Sequence, residues 1–274
     1  MRTRRWIVGI VAFAVSAVVF LLPFGFIVWQ AMKTSPEAAD LNFAWPTEFV
    51  PWQNLIGVLT YNDNELLRAF VNSAVLTVLS VTIMVVLASM AGYVLQRRRG
   101  PLNPFLNFFV LAGLIVPPAV VPTIWLLQSL GLFKSLPGLV LIEATYGLAF
   151  CLLLFRAFVA TIPRELDEAA VIDGAGPLRL FFSVIFPLLR PVIITVIVVQ
   201  SVAVFNDFAN PLYFTPGLDN ATVQLTLFNF QSQQLSQYNL LFTDIVLITI
   251  PPLVMYIFFN RQIVAGLTSG AVKG

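Results

Sequence analysis

No charged side chain interrupts residues 6–32 or residues 69–96. Each stretch exceeds the roughly 20 apolar residues that a helix needs to cross the hydrocarbon core of a bilayer. Because lipid offers no partners to backbone N–H and C=O groups, such stretches are forced into helices. Four further apolar stretches follow at about 104–128, 138–161, 188–208 and 238–260. The third is broken at Pro117-Pro118. The fourth carries Glu143 toward one end and Arg156 toward the other, and the sixth contains Asp244 near its start and Pro251-Pro252 near its middle. This spacing predicts an all-α polytopic membrane protein of six transmembrane helices, forming a single domain over 1–274. The two proline pairs are expected either to loosen their helices near mid-membrane or to make static kinks.

Composition agrees, with 59% hydrophobic and 10% charged residues, where soluble domains average about 25% charged. The chain has no histidine and one cysteine, Cys151, inside an apolar run. Disulfides, histidine acid–base chemistry and His/Cys metal sites are thereby excluded or disfavoured, and Cys151 reads as a small core residue rather than a nucleophile. No G-x-x-x-x-G-K-[ST] motif occurs, so the chain supplies no P-loop of its own. A catalytic role is not expected, and nothing points to a nucleic acid.

Charge asymmetry orients the spans. Of the 15 Lys and Arg residues only Lys33, Arg68 and Lys134 fall in one set of connections. The rest, including Arg97-Arg98-Arg99, Arg164 and Arg179, fall in the other, which places both termini in the cytoplasm. The apolar run after Met1-Arg2-Thr3-Arg4-Arg5 is longer than a signal-peptide core, so it reads as a retained first helix. Outside, residues 33–68 form a polar loop with Trp45 and Trp52, and 131–137 a tight turn. The 209–237 loop is amide-rich: Asn229-Phe230-Gln231-Ser232-Gln233-Gln234 suits a neutral polar ligand or a partner surface, or simply joins two helices. Asn206, Asp207 and Asn210, at the end of the fifth span, are candidate ligand-facing groups, with helix capping the competing role.

The one compact charged cluster lies in the cytoplasmic segment 161–187, expected to be two short helical pieces. Pro163 is expected in the first turn of the first piece. Glu165, Asp167 and Glu168 then sit near the positive end of its dipole. Ala169 and Ala170 permit close backbone approach, Asp173 follows, and Gly174 supplies a left-handed end. Pro177 opens a second piece whose Leu180, Phe181, Val184 and Ile185 are expected to lie at the membrane interface. Pro187 and Pro191 limit how it joins the fifth span.

Glu168-Ala169-Ala170, three residues, Gly174, then Val184, Phe186 and Pro187 resemble the signature loop of binding-protein-dependent ABC importer permeases. Val184 and Phe186 stand where Ile and Leu are usual. Residues 162–168, Asn72-Ser73, Phe205-Asn206-Asp207-Phe208 with Asn210-Pro211-Leu212, and the tail 261–274 are similar to the carbohydrate, maltose-type branch, although tryptophan is more usual at Phe205. The resemblance implies the ABC importer permease fold and a place in a bacterial or archaeal inner membrane. It implies no cofactor in this chain, with ATP and Mg on a cytoplasmic ATPase dimer. A second homologous permease, an extracytoplasmic solute-binding protein and a sugar complete the expected partners, in a lipid setting. It assigns ATPase coupling to Glu165, Asp167, Glu168, Ala169, Ala170, Asp173, Gly174 and Pro187. Another polar cargo, such as a glycerophosphodiester, or a self-contained secondary transporter remains the alternative.

Overall fold

The computed structural model describes residues 2–98, 100–217, 220–231 and 237–271. Within the amide-rich stretch, Ser232-Gln233-Gln234 lies outside the described residues, as do Arg99 and the last three positions of the tail. The helices are α1 (Arg2–Ala31), α2 (Ser35–Ala39), α3 (Pro51–Arg97), α4 (Asn103–Ile115), α5 (Val120–Ser129), α6 (Leu136–Val159), α7 (Glu165–Ile172), α8 (Pro177–Leu188), α9 (Arg190–Phe205), α10 (Ala209–Phe214), α11 (Val223–Thr226) and α12 (Tyr238–Ala271).

Four segments among the described residues are long and apolar enough to cross a membrane: Gly9–Ala31, Pro51–Arg97, Leu136–Val159 and Tyr238–Phe259. Two bent pairs, α4 with α5 at 110° and α8 with α9 at 75°, bring the number to as many as six if each pair is one span. The first bend falls at Pro117-Pro118, where the missing N–H groups end the hydrogen-bond ladder. By contrast, α12 continues as helix through Pro251-Pro252. The helix also continues through most of the segment read as a tail, to Ala271. Polar side chains inside these helices bond their own backbone: Thr60, Thr82, Thr145 and Thr249 each donate to the carbonyl four residues back, at 2.6–2.8 Å.

A short helix runs from Pro51 to residue 60, and non-helical backbone at 61–64, where Asn62, Asp63 and Asn64 adopt left-handed φ of 46°, 57° and 61°, separates it from the longer helix that continues to Arg97 and contains the expected second span. Asn and Asp tolerate that region because their short polar side chains bond locally; here Asn62 Nδ2 donates to Glu65 Oε2 at 2.8 Å.

The chain packs as two compact units. One comprises the chain to Phe70 with Val223–Pro251. In it the carbonyls at the end of α1, which have no intrahelical partner, are met by side chains. Asn54 Nδ2 donates to Ala31 O and Lys33 O, both at 2.9 Å, and Thr243 Oγ1 donates to Ala31 O. Asn239 Nδ2 in turn donates to Asn54 Oδ1 at 2.7 Å, and the buried Lys33 ammonium donates to Asn42 O at 2.6 Å. Trp29 stacks edge-on against Trp45 at 4.8 Å and donates its indole N–H to Ala44 O. Such amphipathic rings suit a membrane–water boundary.

The other unit comprises Val71–Thr222 with the chain from Pro252 onward. Its core joins Met84, Ala88, Cys151, Leu152, Phe155, Ile185 and Val196, all buried. Cys151 is a fully buried core residue beside Gln200 Nε2 at 3.3 Å. Glycine sets the α3–α6 approach: a Cβ on Gly92 would stand 3.0 Å from Phe155 Cβ and 3.1 Å from the Arg156 amide nitrogen. Arg156 sits against this seam, donating to Gln96 Oε1 at 3.2 Å and to Asn107 Oδ1.

Candidate functional site: the loop after α6

Helix α7 starts at Glu165 with Arg164 as its N-cap, so Pro163 precedes the helix instead of opening it. The cause is visible in α3. Arg97 Nη2 takes the carbonyls of Ile162 (3.0 Å) and Pro163 (3.4 Å) as acceptors, which holds this stretch in a turn before the helix begins. The same guanidinium reaches Asp167 Oδ2 at 2.9 Å, and Tyr93 O–H donates to Asp167 Oδ1 at 2.5 Å. Both side chains of the ion pair are mostly buried, 11% and 16% exposed. The Tyr93 bond to a carboxylate is charge-assisted and so of the stronger kind, whereas the Arg97 contact is an ion pair that leaves Asp167 Oδ2 without a hydrogen-bond partner.

The C-terminal end of α7 is equally defined. Gly174 has φ +78°; its N–H donates to Val171 O at 3.0 Å and the Ala175 N–H to Ala170 O at 2.9 Å. This pair of bonds is a Schellman motif, which satisfies the last carbonyls and turns the chain. Ala170 is buried beneath the helix, whereas Ala169, Glu165, Glu168 and Asp173 are exposed. So are the apolar Val171 (58%) and Ile172 (85%). The sequence places three acids in the first turn; the structure turns Asp167 inward as a fastening and leaves Glu165 and Glu168 exposed.

The second piece differs from expectation. Residues 180–185 form a widened π-type turn within α8, and Leu180, Phe181 and Ile185 are buried in the core, with Val184 packed against it, instead of lying on a membrane surface. Phe181 lies 5.6 Å from the Tyr93 ring, the same tyrosine that holds Asp167. Pro187 is exposed in the last turn of α8. Thus α7 and α8 are both secured to the end of α3, the one by an ion pair and the other by aromatic packing.

The amide and carboxylate group at the end of α9 is internally engaged. Asp207 Oδ1 accepts from the Ala209 N–H at 2.8 Å and the Asn210 N–H at 3.4 Å, capping α10. Asn210 Nδ2 donates to Asp207 Oδ2 at 2.5 Å and to Glu143 Oε1 of α6 at 3.2 Å. Asn206 is the C-cap of α9. The sequence marks Asn206, Asp207 and Asn210 as candidate ligand-facing groups, with capping the competing role, but does not reveal Glu143 as a partner of Asn210. Nor does it reveal Tyr93 and Arg97; the only signal was the Arg97-Arg98-Arg99 run, read solely as orientation. Among the described residues no group of three or more His, Cys, Asp or Glu side chains is placed to hold a metal.

Residues 84–268 match the family model of the binding-protein-dependent transport system inner membrane component. The chain belongs to this family. The match includes α7 with its acidic face, its Schellman end and its fastening to α3. A trehalose transport system permease protein of Mycobacterium tuberculosis is 32% identical, the alignment covering 93% of both chains. A melibiose/raffinose/stachyose import permease protein of Bacillus subtilis is 26% identical over all of this chain and 99% of that one. In three dimensions the chain resembles one in the crystal structure of a bacterial ABC transporter involved in the import of the acidic polysaccharide alginate. The TM-score is 0.82 at 20% identity, covering 95% of this chain and 98% of the other. The inner membrane component therefore has the fold of an ABC importer permease, and its long exposed apolar helices suit lipid.

Proposed function

We propose that this chain is a permease subunit of an ATP-driven carbohydrate importer of the bacterial or archaeal inner membrane. In this reading it spans the bilayer six times with both termini in the cytoplasm, and with a second homologous permease it encloses the translocation pathway. An extracytoplasmic solute-binding protein delivers the sugar, and a cytoplasmic ATPase dimer, holding ATP and Mg, drives the cycle. The observation that carries the coupling role is the construction of α7. Its inner side is fastened through Asp167 to Arg97 and Tyr93 of α3, while Glu165 and Ile172 are exposed and Glu168, also exposed, borders a cleft against α3. A helix exposed on one side and tied to a span on the other transmits a push to that span. The sugar class is supported by the relatives named for trehalose and for melibiose, raffinose and stachyose.

Two measurements test this. Glu168→Lys replaces an exposed carboxylate near the positive end of the helix dipole with a cation; ATPase recovered with the permease and sugar uptake should both fall at least tenfold. Unchanged recovery and uptake would remove the coupling role. Calorimetry of the cognate binding protein with neutral oligosaccharides and glycerophosphodiesters should give heat with the sugars, and a response to the phosphodiesters alone would replace the cargo while leaving the coupling intact.

A further inference from the structure

The space behind α7 is a cleft of about 590 Å³ between the end of α3 and the start of α8. Its lining includes the apolar Val94, Leu178 and Phe181. Leu178 is 67% exposed although it lines a cavity beside a membrane span. The lining also includes three guanidinium groups, Arg97, Arg98 and Arg164, and the carboxylates of Asp167 and Glu168. Asp167 is committed to Arg97 and Tyr93. Arg98 and Arg164 are exposed and take part in no ion pair among the described residues. Arg97 Nε is buried and has no acceptor.

We propose that this cleft binds an anionic phospholipid, its phosphate on Arg98 and Arg164 and an acyl chain along Val94, Leu178 and Phe181. An inorganic anion would satisfy the guanidinium groups but leave the apolar wall in water; an apolar ligand would do the reverse. A molecule with phosphate at one end and hydrocarbon at the other matches both kinds of lining. The position also fits, because Arg97 and Arg98 stand at the end of a span, where headgroups lie. Basic pockets between spans on the cytoplasmic side hold anionic headgroups by this combination of charge and depth. A lipid seated there touches α3, α7 and α8 together, so its presence stiffens the connection between the exposed helix and the span. The inference uses the cytoplasmic orientation proposed above and is independent of the cargo.

The test uses the whole transporter complex in nanodiscs containing a photoactivatable phosphatidylglycerol, with the labelled peptides mapped by mass spectrometry. Label is expected in residues 90–98 and 164–181. Each guanidinium near a charged membrane surface contributes about a fivefold factor, so Arg98→Gln with Arg164→Gln should reduce labelling at least tenfold. Lysine at both positions should restore it to within about threefold. Leu178→Glu, a change at an exposed position that sets a carboxylate against the phosphate, should also reduce labelling and guards against a folding defect in the double variant. Equal labelling of these peptides by a photoactivatable phosphatidylcholine, or unchanged labelling in both variants, overturns the proposal. So does loss of label on adding millimolar inorganic phosphate at constant ionic strength, which would make the site a plain anion pocket. Because sugar binding to the binding protein and ATPase recovery are read separately, failure here is distinguishable from failure of the transport reading.

Discussion

Asp167 Oδ2 lies 2.9 Å from Arg97 Nη2, and this pair joins the short helix after α6 to the end of the longest span in the chain. The two residues are 70 positions apart in sequence (167 − 97), and the contact decides which acid of the first turn is structural. Arg97 also takes the carbonyls of Ile162 and Pro163, so one guanidinium fixes both the start of α7 and its rotation about its own axis.

Breaking this pair should cost stability and coupling together. Removing one partner of a buried ion pair strands the other and typically costs about 3–5 kcal/mol. Asp167→Ala is therefore expected to accelerate proteolysis between residues 161 and 176 and to lower transport more than ATPase activity. Tyr93→Phe removes one hydrogen bond to a carboxylate, costing about 1.5–3 kcal/mol, and should do the same more weakly. In a double-mutant cycle Arg97→Gln and Asp167→Asn should be non-additive by about 1 kcal/mol or more; additive effects would show that the pair does not act as a unit.

Gly174 offers a separable test of backbone strain. A Cβ there meets nothing within 4 Å, so any penalty comes from φ +78° alone. Alanine should cost about 1 kcal/mol, and valine more, because a β-branched side chain is poorly accommodated in the left-handed region. Thermal melting of the complex and uptake should rank glycine above alanine above valine. Equal values for alanine and valine would mean that the helix end is not held in this conformation.

The apolar runs made α1, α6 and the break at Pro117-Pro118 legible, since span length and proline chemistry act locally. Gly174 was legible for the same reason: acids at one end and glycine at the other define a short helix. The rotation of α7 was not, because Glu165, Asp167 and Glu168 are equivalent until α3 supplies Arg97 on one side. The Asn62-Asp63-Asn64 break lay within a segment read simply as loop, although its residue types are those that tolerate left-handed backbone. The π-type turn at 180–185 left no mark in hydrophobic spacing, as Leu180, Phe181 and Ile185 suit a membrane surface as well as a core. Glu143 was placed in its span, but its contact with Asn210 depends on how α6 and α10 meet, and no local pattern encodes that.

The segment after α1 should respond to acid through Glu37. The backbone N–H of Thr47 at 2.8 Å, the Thr47 hydroxyl at 2.7 Å and the Thr34 hydroxyl at 3.0 Å all donate to its carboxylate. These bonds, the backbone one first, hold its pKa below the ordinary 4.5. A depressed carboxylate pKa stabilises the fold above the unfolded value and loses that contribution as pH falls through the folded value. Amide exchange at Thr47, corrected for its intrinsic pH dependence, should therefore be slow at neutral pH and accelerate below 4.5. Glu37→Gln should abolish that dependence; an unchanged profile would assign the transition to another group.

Two glycines in helix interiors, Gly92 and Gly147, should respond differently to the same substitution. At Gly92 a new Cβ would meet Phe155 Cβ at 3.0 Å, the Arg156 amide nitrogen at 3.1 Å and Leu152 O at 3.3 Å, mostly atoms that move only if α3 and α6 separate. At Gly147 the nominal contact is shorter, 2.6 Å, but it is with the Sδ and Cε atoms at the far end of Met84. Methionine has three rotatable bonds and adapts to such intrusions. Alanine in a helix interior also gains up to about 1 kcal/mol over glycine, while overpacking a rigid contact costs about 1–3 kcal/mol. Gly92→Ala should therefore lower the melting temperature of the purified complex, and Gly147→Ala should leave it close to the parent value. Were Gly147→Ala the more damaging of the two, shortest distance instead of backbone rigidity would govern the α3–α6 seam.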